Sequence, residues 1–317
     1  MIAYAVVTTV VVVATAGAWA YFRRFELMRP PIGVFDWHDV VFFLVAIVVV
    51  PLAYLALPRA AVGVVLCLLA LNVFWFGFEP VLRLRSLIWL AAAGLVAVDV
   101  AVSLTLRSGS LWIVAVNDLE LVALVVVVTN VLVQSGMRAR DLAFLVSGLA
   151  VYDVVATTFL GLMGDLLRRL ATLPFAPLVA WRQDGRWLAV GLGDLLMVAL
   201  APLVLRKAFG VTAGLMSAVT SVVAVAGMLA ALRLGWIDRD IPAMVVLGPL
   251  LLPQYGWWRF RQGRERRTWE YLELEAPANR VTRDAVEAAR DRASARRARV
   301  QRAGVSRGTT TAAVERR

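Results

Sequence analysis

The stretch 142–163, LAFLVSGLAVYDVVATTFLGLM, contains a single charged residue, Asp153, in a run long enough to cross a bilayer. Roughly 20 apolar residues in helical form span the hydrocarbon layer. Inside that layer every backbone N–H and C=O must be satisfied within the segment, so a run of this kind reads as a transmembrane helix. Runs of spanning length recur on both sides. We delimit nine: 2–22, 40–58, 60–78, 87–106, 112–134, 142–163, 188–205, 210–232 and 241–258. The short alternating segments of an outer-membrane barrel are missing. Composition agrees, because 61% hydrophobic residues and a mean hydropathy of +0.77 are far too apolar for a soluble domain of 317 residues. The expected fold is an all-α polytopic membrane protein of nine transmembrane helices with a basic C-terminal tail. Residues 1–141 form a five-helix membrane scaffold, residues 142–258 carry helices six to nine, and residues 259–317 form a largely disordered cytoplasmic tail.

Charge orients the chain. The formal net charge is +11, and residues 259–317 hold 16 Arg against 8 Asp and Glu. Arg259, Arg261, Arg264, Arg266 and Arg267 follow the last run directly, which places the C-terminus in the cytoplasm by the positive-inside rule. Nine crossings then put the N-terminus outside, in agreement with Arg23-Arg24 after the first run. That first run lacks a basic start and is long for a signal peptide, so it reads as an anchor. The connection 164–187 runs against the rule, since it carries Arg168, Arg169, Arg182 and Arg186 yet lies outside. Its segment Leu173-Pro174-Phe175-Ala176-Pro177-Leu178 is too short and proline-marked to be another span. The tail reads as a solvated, topology-setting segment beside the lipid bilayer, with no nucleic acid as partner.

Several chemistries are excluded by residue counts. The one cysteine, Cys67, permits no intrachain disulfide, and the one histidine, His38, lies in the first loop. No His-Glu-x-x-His is present, so an intramembrane zinc protease is disfavoured and no metal or organic cofactor is expected. A serine protease working within the membrane would need a histidine there. The chain shows no internal repeat of the kind that builds many transporters.

Two carboxylates inside apolar runs carry recognisable neighbourhoods, and charged residues at membrane depth mark functional sites by default. Asp153 lies in Tyr152-Asp153, about 15 Å from the end of the sixth run at 1.5 Å per residue. Asp194 lies in Gly191-Leu192-Gly193-Asp194, about 9 Å from the start of the seventh by the same rise. One helix leaves and the next enters at the same face, so the carboxylates can meet across antiparallel neighbours. Close like charges in an apolar site share one proton, which is the chemistry of an aspartic protease. Gly191 and Gly193 allow close backbone approach of a helix or an extended peptide. Pro242-Ala243-Met244 opens the ninth run, where proline leaves backbone groups available to a partner strand. Asp99, Asn117, Asp118 and Glu120 are further polar residues in or near spans. They read as interhelical hydrogen-bonding or interfacial groups, Asp99 being the least explained. The Trp residues, among them Trp75, Trp181, Trp257 and Trp258, read as interfacial belts.

The three elements, in this order, resemble the presenilin and signal peptide peptidase family of intramembrane aspartyl proteases. That family carries Tyr-Asp in its sixth helix, Gly-x-Gly-Asp in its seventh and Pro-Ala-Leu at its ninth. The resemblance covers roughly residues 142–258. It implies a presenilin-like arrangement, with Asp153 and Asp194 as the catalytic pair. Tyr152 would sit beside the dyad, Leu192 would line the cleft with Gly191 and Gly193, and Pro242, Ala243 and Met244 would hold an unwound substrate. Met244 replaces the usual leucine, a swap of similar volume. The short 164–187 connection speaks against activation by internal cleavage. The implied substrates are single-span membrane segments or remnant signal peptides, with no accessory subunit required. Prepilin peptidases share Gly-x-Gly-Asp, but they usually carry further Cys and Lys signatures that this chain lacks. With 32 Arg against one Lys, a GC-rich bacterial source and its cytoplasmic membrane are expected. The competing expectation is a proton-coupled transporter in which Asp99, Asp153 and Asp194 form a relay.

Overall fold

The computed structural model describes residues 2–27, 34–82, 84–106, 110–170, 173–183, 186–236 and 242–266. The chain divides into two units, Met1–Leu274 and Glu275–Arg317, and every described element belongs to the first. In order these are α1 (Ile2–Arg24), α2 (Trp37–Ala56), α3 (Arg59–Phe78), α4 (Arg85–Thr105) and α5 (Leu111–Gln134). Then follow α6 (Ala139–Val154), a π-helical turn (Val155–Phe159) and α7 (Leu162–Leu170). Strands β1 (Leu178–Gln183) and β2 (Arg186–Gly191) lead to α8 (Leu192–Phe209), α9 (Val211–Arg233) and α10 (Ala243–Gln262). The expected disorder of the tail beyond Arg266 lies outside the described residues.

Among the described residues seven helices are long and apolar enough to cross a membrane. They are Ala3–Arg24, α2, α3, α4, α5, Ala139–Phe159 and α9. Two others are less apolar. Helix α8 holds Asp194, Arg206 and Lys207 within its 18 residues, and α10 contains Pro249 and Pro253 and ends in Arg259 and Arg261. The chain is thus a mostly helical membrane protein.

This agrees with the expected all-α membrane class, with one addition: β1 and β2 form an antiparallel hairpin, with Leu178 opposite Gly191 and Gln183 opposite Arg186. One expectation is corrected, since the seventh helix does not begin at residue 188. Leu188-Ala189-Val190 belongs to β2, and the helix starts at Leu192. A short apolar run reads equally as strand or helix, and its joining to the apolar stretch after it concealed the boundary. Pro174 and Pro177 disfavour a continuous helix before the hairpin.

Helix α8 is the central strut. Leu195 and nearly every side chain from Met197 to Phe209 are buried, the pattern of a helix covered on all sides. It packs against α1, α5, α6, α9 and α10. By contrast α2, α3 and α4 present large apolar side chains outward, among them Phe42, Leu68 and Leu90, as lipid contact requires. At the basic end the chain after α10 is tied down. Arg266 Nη1 donates to the Lys207 carbonyl at 2.8 Å, Gln262 Nε2 to the Phe209 carbonyl at 2.9 Å, and Arg138 Nε lies 3.6 Å from Glu265.

Close approach of α8 and α9 depends on Gly214. A Cβ there would lie 2.6 Å from the Arg206 Cβ and 2.7 Å from the Pro202 carbonyl oxygen. Neither atom can swing away, so Gly214→Ala must separate the two helices. It is expected to cost about 1–3 kcal/mol, as overpacking does. A lower thermal midpoint of the detergent-solubilised variant checks this, and an unchanged midpoint contradicts it.

Candidate active site

Asp153 is the penultimate residue of regular helix in α6. The π-helical turn follows at once, and Gly161, at φ 61°, ends the segment in a conformation that favours glycine. Single π turns of this kind are rare and frequently accompany functional sites. Asp194 is the third residue of α8. Its carboxylate reaches back to accept the backbone N–H of Gly191, Oδ2 to N 3.3 Å, so it satisfies an amide that the helix start leaves free. Each carboxylate is therefore closer to its helix end than the sequence spacing indicated. Asp153 stands about 9 Å from the end of the π turn, and Asp194 about 3 Å from the start of its helix. Both spacings shrink alike, so the offset between the two is unchanged. Asp153 and Asp194 are each half-buried, and they lie within electrostatic reach of each other.

The third element closes on the first. Pro242 caps α10 in extended conformation, and proline has no N–H to offer. Met244, the second helical residue, donates its backbone N–H to Asp153 Oδ2 at 3.1 Å. A carboxylate at a helix N-terminus is favoured both by the free amides and by the helix dipole. Ala243 and Met244 are buried. On the same interface a Cβ on Gly248 would lie 3.2 Å from the Ala150 Cβ, one turn of α6 before Asp153. That close approach holds the start of α10 against Asp153.

The remaining residues named by sequence fall around this pair. Tyr152 is half-buried beside Asp153, and its hydroxyl is buried with no hydrogen-bond partner among the described residues. Gly193 faces Leu149 of α6, where an added Cβ would make ordinary contact at 3.9 Å. Gly191 is the last residue of β2 rather than a helical one, and a Cβ there would stand 3.4 Å from Asp194 Oδ2. Leu192 donates its N–H to the Pro177 carbonyl at 2.9 Å, which closes the base of the hairpin. The structure therefore brings Tyr152-Asp153, Gly191–Asp194 and Pro242–Met244 to one place. Nothing in this set is arranged as a metal centre: groups of three or more His, Cys, Asp or Glu positioned for a metal ion do not occur among the described residues.

Sequence reasoning missed what holds the hairpin. Asp99 Oδ2 of α4 accepts the Phe175 N–H at 2.6 Å. Asn117 Nδ2 of α5 donates to the Leu178 carbonyl at 3.1 Å, and Asp118 Oδ2 accepts from Trp181 Nε1 at 2.7 Å. Trp181 is thus a hairpin anchor and not a belt residue. Phe175 sits at φ 52°, which is rare for a residue with a side chain. Asp99 and the packing of its ring on Phe74, centroids 6.1 Å apart, hold it there. In the connection α7 carries two of the arginines that oppose the charge rule. Arg168 pairs with Asp165 at 2.5 Å, and Arg169 donates to the Leu57 carbonyl.

No family model matches the chain, and no curated protein matches it.

Trp181→Phe removes the indole donor and leaves the buried Asp118 carboxylate without it. The expected cost is about 1–3 kcal/mol, the penalty for a stranded buried acceptor. A thermal melt of the purified variant reads this, and a wild-type midpoint contradicts it.

Proposed function

We propose that the chain is an intramembrane aspartic endopeptidase that crosses the membrane nine times. In this reading α8 and α10 are the seventh and ninth spans. The N-terminus lies outside and the basic tail lies in the cytoplasm. The observation that supports the reading is the placement of Asp153 and Asp194 within electrostatic reach of each other, each against a helix start, with the Met244 N–H on Asp153. A packing role alone gives no reason to place two half-buried carboxylates within reach of each other's charge.

The chemistry follows from that pairing. Two adjacent carboxylates in an apolar site do not both ionise, so they hold one proton between them. The ionised member takes a proton from a water molecule, whose oxygen attacks the peptide carbonyl carbon. The protonated member gives its proton to the carbonyl oxygen, which forms a neutral gem-diol. Collapse re-forms the carbonyl, breaks the C–N bond and delivers a proton to the departing amine. Water is consumed, two peptide ends are released, and the dyad returns to its one-proton state. The glycines of Gly191-Leu192-Gly193 leave room for an extended backbone beside Asp194, and Tyr152 and Leu192 form the neighbouring walls. The substrate class is a single-span membrane segment, or the remnant of a signal peptide, unwound at the bond to be cut.

The test is cleavage of a model single-span substrate by the purified full chain in detergent. Wild type is expected to cut, and Asp153→Asn and Asp194→Asn, each nearly isosteric, to fall to background while keeping the wild-type melting midpoint. Cleavage that persists in either variant overturns the assignment. Proton-driven solute flux in proteoliposomes, with no cleavage by any chain, would replace it with a transporter.

The shared proton also fixes the shape of the pH dependence. Activity is expected to fall at acid pH, where both carboxyls are protonated and none can take a proton from water. It is expected to fall again at alkaline pH, where both are ionised and none can donate. A rate that rises or falls monotonically across the range in which the protein stays folded would contradict a one-proton dyad.

A further inference from the structure

Helices α4 and α5 carry a second acid pair that the dyad does not use. Asp99 and Glu120 are each 1% exposed and lie within electrostatic reach of each other. Both stand toward the ends of α4 and α5 that the connection 106–110 joins. Asp99 is six residues from the end of its helix, and Glu120 is nine residues into its own. This is the face of the bundle at which α6 ends and α8 begins.

The oxygens are poorly satisfied. Asp99 Oδ2 takes the Phe175 N–H, but Asp99 Oδ1 and both oxygens of Glu120 are buried with no hydrogen-bond partner among the described residues. One turn before Glu120, on the same face of α5, the Asn117 amide oxygen is also buried and without a partner among those residues. All four atoms are acceptors. Among the described side chains no cation faces them. The titratable group that α3 brings to the pair is Cys67, whose thiol feels both Asp99 and Glu120. On α5 itself Asp118 is turned to Trp181 of β1. From α8 Asp194 is bonded to the Gly191 N–H, and Lys207 lies at the opposite end, bonded to the Val133 carbonyl. From α1 Tyr21 donates to the Gly77 carbonyl at the far end of α3. Two ionised carboxylates with no facing cation would leave a double negative charge in an apolar layer, which is strongly unfavourable.

We propose that Asp99 and Glu120 form a second intramembrane site that binds one positive charge, a proton or a small monovalent cation. A ligand that satisfies the three free carboxylate oxygens must bring donors or positive charge and no acceptor of its own, and such oxygens suit a hard cation or a proton. Among the described residues no group of three His, Cys, Asp or Glu is positioned for a metal ion, which fits a single charge better than a divalent ion. Occupancy bears on the rest of the molecule, because Asp99 holds Phe175, Asn117 holds Leu178 and Asp118 holds Trp181. These three bonds fix the hairpin that runs into Gly191 and Asp194. The inference does not rest on the proteolytic reading, and its test reads no cleavage.

Two measurements on the purified full chain decide it. One is proton release into weakly buffered detergent solution on adding sodium, lithium or choline chloride. The other is the melting midpoint from acid to alkaline pH. Each is made on wild type and Glu120→Gln, and repeated in an Asp153→Asn/Asp194→Asn background so that the dyad does not contribute. Release of up to one proton per chain with sodium or lithium but not choline, lost in Glu120→Gln, supports a cation site. The proton alternative gives no release with any salt. It gives instead a midpoint that falls by several degrees as pH rises, because a proton bound by the folded state is being lost, and Glu120→Gln flattens that fall. Identical behaviour of wild type and Glu120→Gln in both measurements overturns the proposal. Asp99→Asn, which keeps an acceptor for Phe175, serves if Glu120→Gln is not recovered folded. A wild-type chain that neither releases protons nor changes midpoint with pH overturns the proposal by itself.

Discussion

A helix leaves its first N–H groups without partners of its own, and at several helix starts in this chain carboxylates meet them. Asp36 accepts from His38 and Asp39 at the start of α2. Asp194 reaches back to Gly191 at the start of α8, and Asp153 receives Met244 at the start of α10. The last two differ from the first in being half-buried and in lying within electrostatic reach of each other. Each such contact is favoured by the helix dipole by about 0.3–1 kcal/mol when exposed, and by up to about 2 kcal/mol when partly buried. The same contacts that begin α8 and α10 therefore concentrate negative charge at one point between α6, α8 and α10. Packing then fixes the geometry: α8 is buried along most of its length, and the Gly248–Ala150 approach brings α10 onto α6.

A second set of acids performs a related task for the hairpin. The connection after α7 cannot stay helical through Pro174 and Pro177, so its backbone groups need partners from outside it. Strand pairing between β1 and β2 supplies some, and the side chains of Asp99, Asn117 and Asp118 supply others. Position thus passes from α4 and α5 through the hairpin to the first turn of α8. Glu120, beside Asp99, adds a charge that this scaffold role does not require.

Much of this architecture was legible in the sequence, because a bilayer forces apolar runs into helices. The run 60–78 corresponds to α3 (Arg59–Phe78), and 112–134 to α5 (Leu111–Gln134). The short motifs Tyr-Asp, Gly-x-Gly-Asp and Pro-Ala-Met were legible as candidates, since a charge or a proline stands out against an apolar background. The start of α8 was not. Leu188-Ala189-Val190 is as apolar as the helix that follows, and a three-residue apolar run has no period to betray a strand. The hairpin's anchors were hidden for another reason. Asp99, Asn117 and Asp118 lie 76, 61 and 63 residues from their partners, and no local pattern reports such pairings. The signal present was the polar character of those positions, which names a need for partners without naming the partners.

The claim that carries most weight is that Asp153 and Asp194 act as one unit around a reacting carbonyl. The most direct measurement is equilibrium binding of a hydroxyl-bearing peptide isostere, which imitates the gem-diol, to wild type, Asp153→Asn and Asp194→Asn. The account predicts saturable binding by wild type and its loss in both variants, with all three chains melting alike. Undiminished binding in either variant would contradict it.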